Sequence, residues 1–127
     1  MSGAGLGTAR LGRTDVEVTT LGLGTAPLGG LFEAVSDEDA TAVLDAAWEG
    51  GIRFFDTAPW YGFGRAETRV GPALQGRAGW SLSTKVGRLL EPSDHPPGPE
   101  NGWPDPLPFA PVHDYGREGV LRSFEES

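Results

Sequence analysis

The chain has 127 residues, enough for one domain with a buried core. Its formal charge of −8 argues against nucleic acid or an anionic membrane as a partner. With no cysteine, disulfides, thiol nucleophiles and thiolate metal sites are excluded. Met1 to Ala9 reads as a small, flexible tail rather than a secretory signal, and no apolar run is long enough to span a bilayer. A cytoplasmic protein is the resulting expectation.

Arg10 to Val18 alternates around a turn-prone centre and predicts a short β-hairpin. Leu21 to Thr25 predicts a first buried strand, followed by a Pro/Gly loop to Gly30. Ser36, with Asp39 as its capping-box partner, opens a helix. Its apolar face is expected to be Val43, Leu44, Ala47 and Trp48, and Gly50-Gly51 closes it. Ile52 to Phe55 predicts a second strand covered on both sides. Glu67 to Gln75 predicts a second helix, although Pro72 in its interior conflicts with that at a cost of ~3 kcal/mol. Trp80 to Val86 predicts a third strand, with Ser81, Ser83 and Lys85 on one face and Leu82 and Val86 on the other. Eight of the 11 prolines lie between Glu91 and Pro111, so residues 87–114 read as one long Pro-rich loop. Gly116 to Ser127 predicts a last helix with Val120, Leu121 and Phe124 on its packed face.

Strands alternating with helices across short links imply right-handed parallel βαβ units, an α/β fold with its site at the carboxyl edge of the sheet. Three parallel strands alone leave apolar faces and edges open, so the chain reads as a piece of a larger domain.

Lys85 is the only lysine. It stands at the end of the third predicted strand, as Asp56 does at the end of the second, with Tyr61 five residues beyond Asp56. An ordinary phenol ionises near ~10, and a neighbouring ammonium stabilises its phenolate form. An aspartate beside that lysine keeps it charged and aimed. The trio could exchange a proton with a carbonyl or hydroxyl oxygen, half of a carbonyl–alcohol interconversion. The other half, hydride transfer, needs a nicotinamide. Singly, Asp56 reads as a loop cap, Tyr61 as a packed aromatic and Lys85 as a surface charge. Their spacing on one βα frame favours the chemical reading.

Other motifs are weaker. Gly22-Leu23-Gly24-Thr25-Ala26-Pro27 begins like a dinucleotide fingerprint, but Pro27 stands where the third glycine belongs. There is no phosphate-loop Gly-Lys-Ser/Thr, and His95 and His113 lack metal-ligand spacing.

The sequence resembles the aldo-keto reductases in three stretches: Gly24-Thr25-Ala26-Pro27-Leu28-Gly29-Gly30, Gly51 through Asp56-Thr57-Ala58-Pro59-Trp60-Tyr61-Gly62, and Leu82-Ser83-Thr84-Lys85-Val86-Gly87-Arg88. With the tail from Asp114 to Ser127, it is most similar to the D-threo-aldose 1-dehydrogenase branch, which includes L-fucose, galactose and pyridoxal 4-dehydrogenases. The resemblance runs from about Arg10 to the last residue. It implies the N-terminal portion of a (β/α)8 barrel, the hairpin and the first three βα units, truncated, with the hairpin plugging the bottom and NADP or NAD across the top. Asp56, Tyr61 and Lys85 match three members of the family's catalytic tetrad. Gly24, Thr25 and Ala26, with Asp56, match positions along the nicotinamide. Trp60 and Tyr61 are expected to shape the pocket of a small sugar or aldehyde substrate. The fourth tetrad member, a histidine ending the fourth strand, has no counterpart here, and His113 lies on the wrong side of the last helix to replace it. Ala66, where a helix-capping serine is common, and Pro72 depart from the family pattern.

Overall fold

A computed structural model describes residues 5–127. The expected flexible start therefore lies outside the described residues for positions 1–4. Its expected end at Ala9 moves, because Thr8 and Ala9 already belong to a strand.

β1 (Thr8–Arg10) pairs antiparallel with β2 (Glu17–Thr19), with Arg10 opposite Glu17. Thr19 Oγ1 accepts from Arg53 N at 3.1 Å, and Ser81 Oγ donates to the Glu17 carbonyl at 3.1 Å. Both contacts fall where the parallel strands begin, so the hairpin sits under the amino end of the sheet.

That sheet is β3 (Leu23–Gly24), β4 (Phe54–Asp56) and β5 (Ser81–Ser83), parallel and in that spatial order. Each strand is shorter than the apolar pattern suggests. Gly24 registers with Asp56, and Asp56 with Ser83, so one row of residues ends all three strands.

α1 (Asp37–Glu49) starts at Ser36, whose side chain accepts from Asp39 N at 3.1 Å, and ends at Gly50. Gly51 carries the left-handed turn at φ 99° that redirects the chain into β4. The buried face of α1 is Ala40 and Leu44, whereas Val43 stays 42% exposed. Of the expected face, Leu44, Ala47 and Trp48 pack on the core and only Val43 departs.

α2 (Arg65–Leu74) contains Pro72, which stands in its last turn and so removes one hydrogen bond without ending the helix. Ala66 is completely buried, which gives steric reason for a small side chain where a serine cap is common. Leu28, Ala40, Leu44, Phe55, Val70 and Leu74 form the core between the sheet and these two helices.

The Pro-rich stretch is not one long loop. β6 (Arg88–Pro92) and β7 (Phe109–His113) form an antiparallel ribbon, pairing Leu90 with Pro111 and Pro92 with Phe109. In a two-stranded ribbon both strands are edges, where a missing N–H is tolerated.

α3 (Arg117–Glu126) also packs differently from its pattern. Its buried residues are Gly119 and Ser123, while Leu121 and Phe124 remain 43% and 65% exposed. Ser123 Oγ accepts from Gly87 N at 2.9 Å and donates to the Val120 carbonyl at 3.0 Å, so a polar side chain anchors the helix. Among the described residues, no helix is long and apolar enough to cross a membrane.

Candidate active site

The row that ends the strands brings the candidate residues together. Asp56 closes β4, and its carboxylate is held from two sides. Ser83 Oγ donates to Oδ1 at 2.6 Å, and Lys85 Nζ donates to Oδ2 at 2.9 Å. Lys85 Nζ also donates to the Thr57 carbonyl at 3.0 Å and lies 4.8 Å from the centroid of the Tyr61 ring. The ammonium is thus fixed between acid and phenol. Burial pulls the Lys85 pKa down, but the Asp56 hydrogen bond and then the Tyr61 hydroxyl outweigh it, and the net shift is upward. Lys85 stays charged across neutral pH.

Tyr61 belongs to the tight segment that links β4 to α2. Gly62, Phe63 and Gly64 all adopt positive φ, at 69°, 54° and 96°. For Phe63 that conformation costs ~1–2 kcal/mol, which its complete burial offsets. The segment is held against the turn Pro27–Gly29: a Cβ built on Gly29 would stand 2.6 Å from the Tyr61 carbonyl carbon and oxygen. The absence of a side chain at Gly29 therefore sets where Tyr61 can lie. From the other side, Leu107 N donates to the Gly62 carbonyl at 3.1 Å.

Trp60 and Tyr61, with Lys85, Arg88 and Tyr115, line a cavity of about 250 Å³. The Trp60 ring lies 4.9 Å from Phe63 and 6.5 Å, edge-on, from Trp103. Trp103 is buried and also packs 5.9 Å from the Tyr61 ring. The Pro-rich segment therefore supplies the backing of this aromatic wall.

The three residues expected along a nicotinamide differ in what they offer. Thr25 is completely buried, and its hydroxyl donates to the Asp56 carbonyl at 2.8 Å, so it fastens β3 to β4. Gly24 is exposed and Ala26 half-buried. A Cβ on Gly24 would meet nothing within 4 Å, so the space beside this end of the strand is open. Gly24 and Ala26 are thus the members with accessible surface.

Four contributors escaped the sequence reading. Ser83 and Arg88 had weak signals: Ser83 shares the Lys85 face of the strand, and Arg88 lies three residues past Lys85. Trp103 and Arg69 had none. Arg69 ties α2 to the β3–α1 connection, donating to the Leu28 carbonyl at 2.7 Å, the Val35 carbonyl at 2.6 Å and Asp37 Oδ1 at 2.9 Å.

The parallel βα order and the hairpin beneath the strands agree with the comparison to known families. The Aldo/keto reductase family profile matches residues 20–127. The chain belongs to the aldo-keto reductase family. It is 49% identical over 127 aligned residues to pyridoxal 4-dehydrogenase of Microbacterium luteolum, covering 92% of this chain and 37% of that protein. Similarity to D-threo-aldose 1-dehydrogenase of a Pseudomonas species is 43% identity over 116 residues, 87% of this chain and 35% of the relative. Among solved structures, an aldo-keto reductase from Bacillus halodurans in its holo form superposes with a TM-score of 0.70 at 27% identity. That superposition covers 95% of this chain and 35% of the other. This aldo-keto reductase chain has the architecture of the hairpin and first three βα units of a (β/α)8 barrel, and it spans little more than a third of the relatives it matches.

Proposed function

We propose that the chain contributes the proton-transfer centre of an NAD(P)-dependent oxidoreductase that oxidises an aldose at C1 to a lactone, or interconverts an aldehyde and an alcohol. The observation that carries this reading is the Lys85 ammonium held between Asp56 and Tyr61 at the carboxyl edge of the sheet. In the oxidative direction, the Tyr61 oxygen takes the proton of the anomeric hydroxyl while C1 becomes a carbonyl carbon. Lys85 stabilises negative charge on the phenol oxygen. Asp56, braced by Ser83, keeps Lys85 aimed. Trp60 and Trp103 wall the substrate side and help exclude water. Gly24 and Ala26 would hold a nicotinamide, NADP or NAD, which in its oxidised form would accept the C1 hydride that no side chain can take.

The test is turnover of a form carrying all eight barrel strands, with L-fucose or pyridoxal and either cofactor. Tyr61→Phe is expected to lower kcat by about 10²–10⁴-fold, and a phenylalanine variant with normal turnover overturns the assignment.

The share of the relatives that is covered favours a second statement, about these 127 residues alone. Three parallel strands leave β5 with an open edge, and no histidine here follows a fourth parallel strand. We therefore expect the isolated chain to be catalytically inactive. Titration with NAD(P)⁺ in the presence of L-fucose checks this, and tight saturable binding accompanied by formation of NAD(P)H and oxidised sugar would contradict it.

A further inference from the structure

We propose that Arg88 is an anion-binding residue of the cavity beside Tyr61, and that the ligand it receives carries a carboxylate or a phosphate. The proposal rests on the carbonyl–alcohol reading for its substrate, though not for its measurement.

The charge of this cavity runs against that of the chain. Acidic residues outnumber basic ones 18 to 10 overall, yet the wall beside Tyr61 carries Lys85 and Arg88 and no carboxylate. The two cations differ in state. Lys85 is neutralised by Asp56 at 2.9 Å. Arg88 has no acidic partner and no side-chain hydrogen bond among the described residues. Its guanidinium lies 4.5 Å from the centroid of the Trp60 ring.

A cation over an aromatic face is held through the ring quadrupole and spends no N–H donor on a protein acceptor, so the Arg88 side-chain donors have no protein partner among the described residues. A planar, always-charged fork held in place by a ring is suited to bidentate recognition of carboxylate or phosphate. Arg88 is also rigidly mounted, as the first residue of β6 in register with His113. A second cavity of about 350 Å³ borders Arg88 and contains two glutamates. Those are already engaged: Glu67 accepts from Thr84 Oγ1 at 3.0 Å and Glu126 from Arg122 Nε at 2.9 Å.

The anionic group has two sources, the substrate or a phosphate of the cofactor, and calorimetric titration of the 127-residue chain separates them. The probes are D-glucuronate against D-glucose, and NADP against NAD. D-Glucuronate is expected to bind at least ~10-fold more tightly than D-glucose, with the preference weakening as salt is added and vanishing in Arg88→Met. If Arg88→Met instead removes a preference for NADP over NAD, the anion site stands and its ligand is the cofactor phosphate. Should Arg88→Met lose the helical circular dichroism of the parent, Arg88→Gln decides by the same criteria. No preference for either anionic probe, or a preference that survives loss of the guanidinium, overturns the proposal. Binding is read without turnover, so a normal Tyr61→Phe enzyme would leave this result untouched, and the reverse holds too.

Discussion

Lys85 illustrates how one side chain takes its role from its neighbours. Its folded pKa is raised, so the pairing contributes stability that is fully present below the ordinary lysine value and is lost as the pH rises through the folded value. The side chain is about half exposed, so solvent screens the contribution to below ~1 kcal/mol. The difference in urea midpoint between the parent chain and Lys85→Met should stay constant from neutral pH to about pH 10 and shrink above it. A difference that already disappears near neutral pH would show that Lys85 is not held by Asp56. Gly29 acts on the same site without any side chain. Gly29→Ala forces backbone atoms of Tyr61 to move and should destabilise the chain by about 1–3 kcal/mol, measured by thermal unfolding. At this scale the sequence was informative for Asp56, Tyr61 and Lys85, because their distances from strand ends are local facts. It was silent on Trp103, whose partners Trp60 and Tyr61 lie more than forty residues away along the chain.

At the scale of elements, capping and turn chemistry were legible and packing partners were not. Ser36 and Gly51 bracket α1 as their residue types require, since each acts on backbone groups within a few positions. The buried face of α3 was misread, because periodicity marks the apolar stripe but not whether anything covers it. Ser123 and Gly119 pack instead, where the helix meets Gly87 and Asp114. The ribbon β6–β7 was hidden by its prolines, which argue against central strands but not against edges. Arg69 joins two elements through three acceptors with little exposure of its own. Arg69→Ala leaves the Leu28 and Val35 carbonyls without this donor and should cost about 2–4 kcal/mol. Equilibrium urea unfolding checks it, and a loss under about 0.5 kcal/mol would mean the linkage carries no stability.

For the whole molecule, one face of the sheet is covered over β4 and left open over β5. Phe55 is covered by α1 and α2, whereas Leu82, which registers with it on β5, is 42% exposed. Leu82 lines a cleft of about 310 Å³ with Trp80, Val70 and Phe124. Because Phe124 packs on little, Phe124→Glu should change stability by less than about 0.5 kcal/mol while reducing binding of the apolar dye ANS. A large loss of stability would show that this ring is buried in solution. The sequence by itself determined the βα order and the caps and turns that bracket α1, because backbone periodicity, caps and turns act over a few residues. Only the tertiary structure decided that Arg88 lies over Trp60, that Trp103 backs the tyrosine and that α3 turns a serine inward. Those pairings arise from the approach of distant backbone segments, and no local pattern encodes such distances.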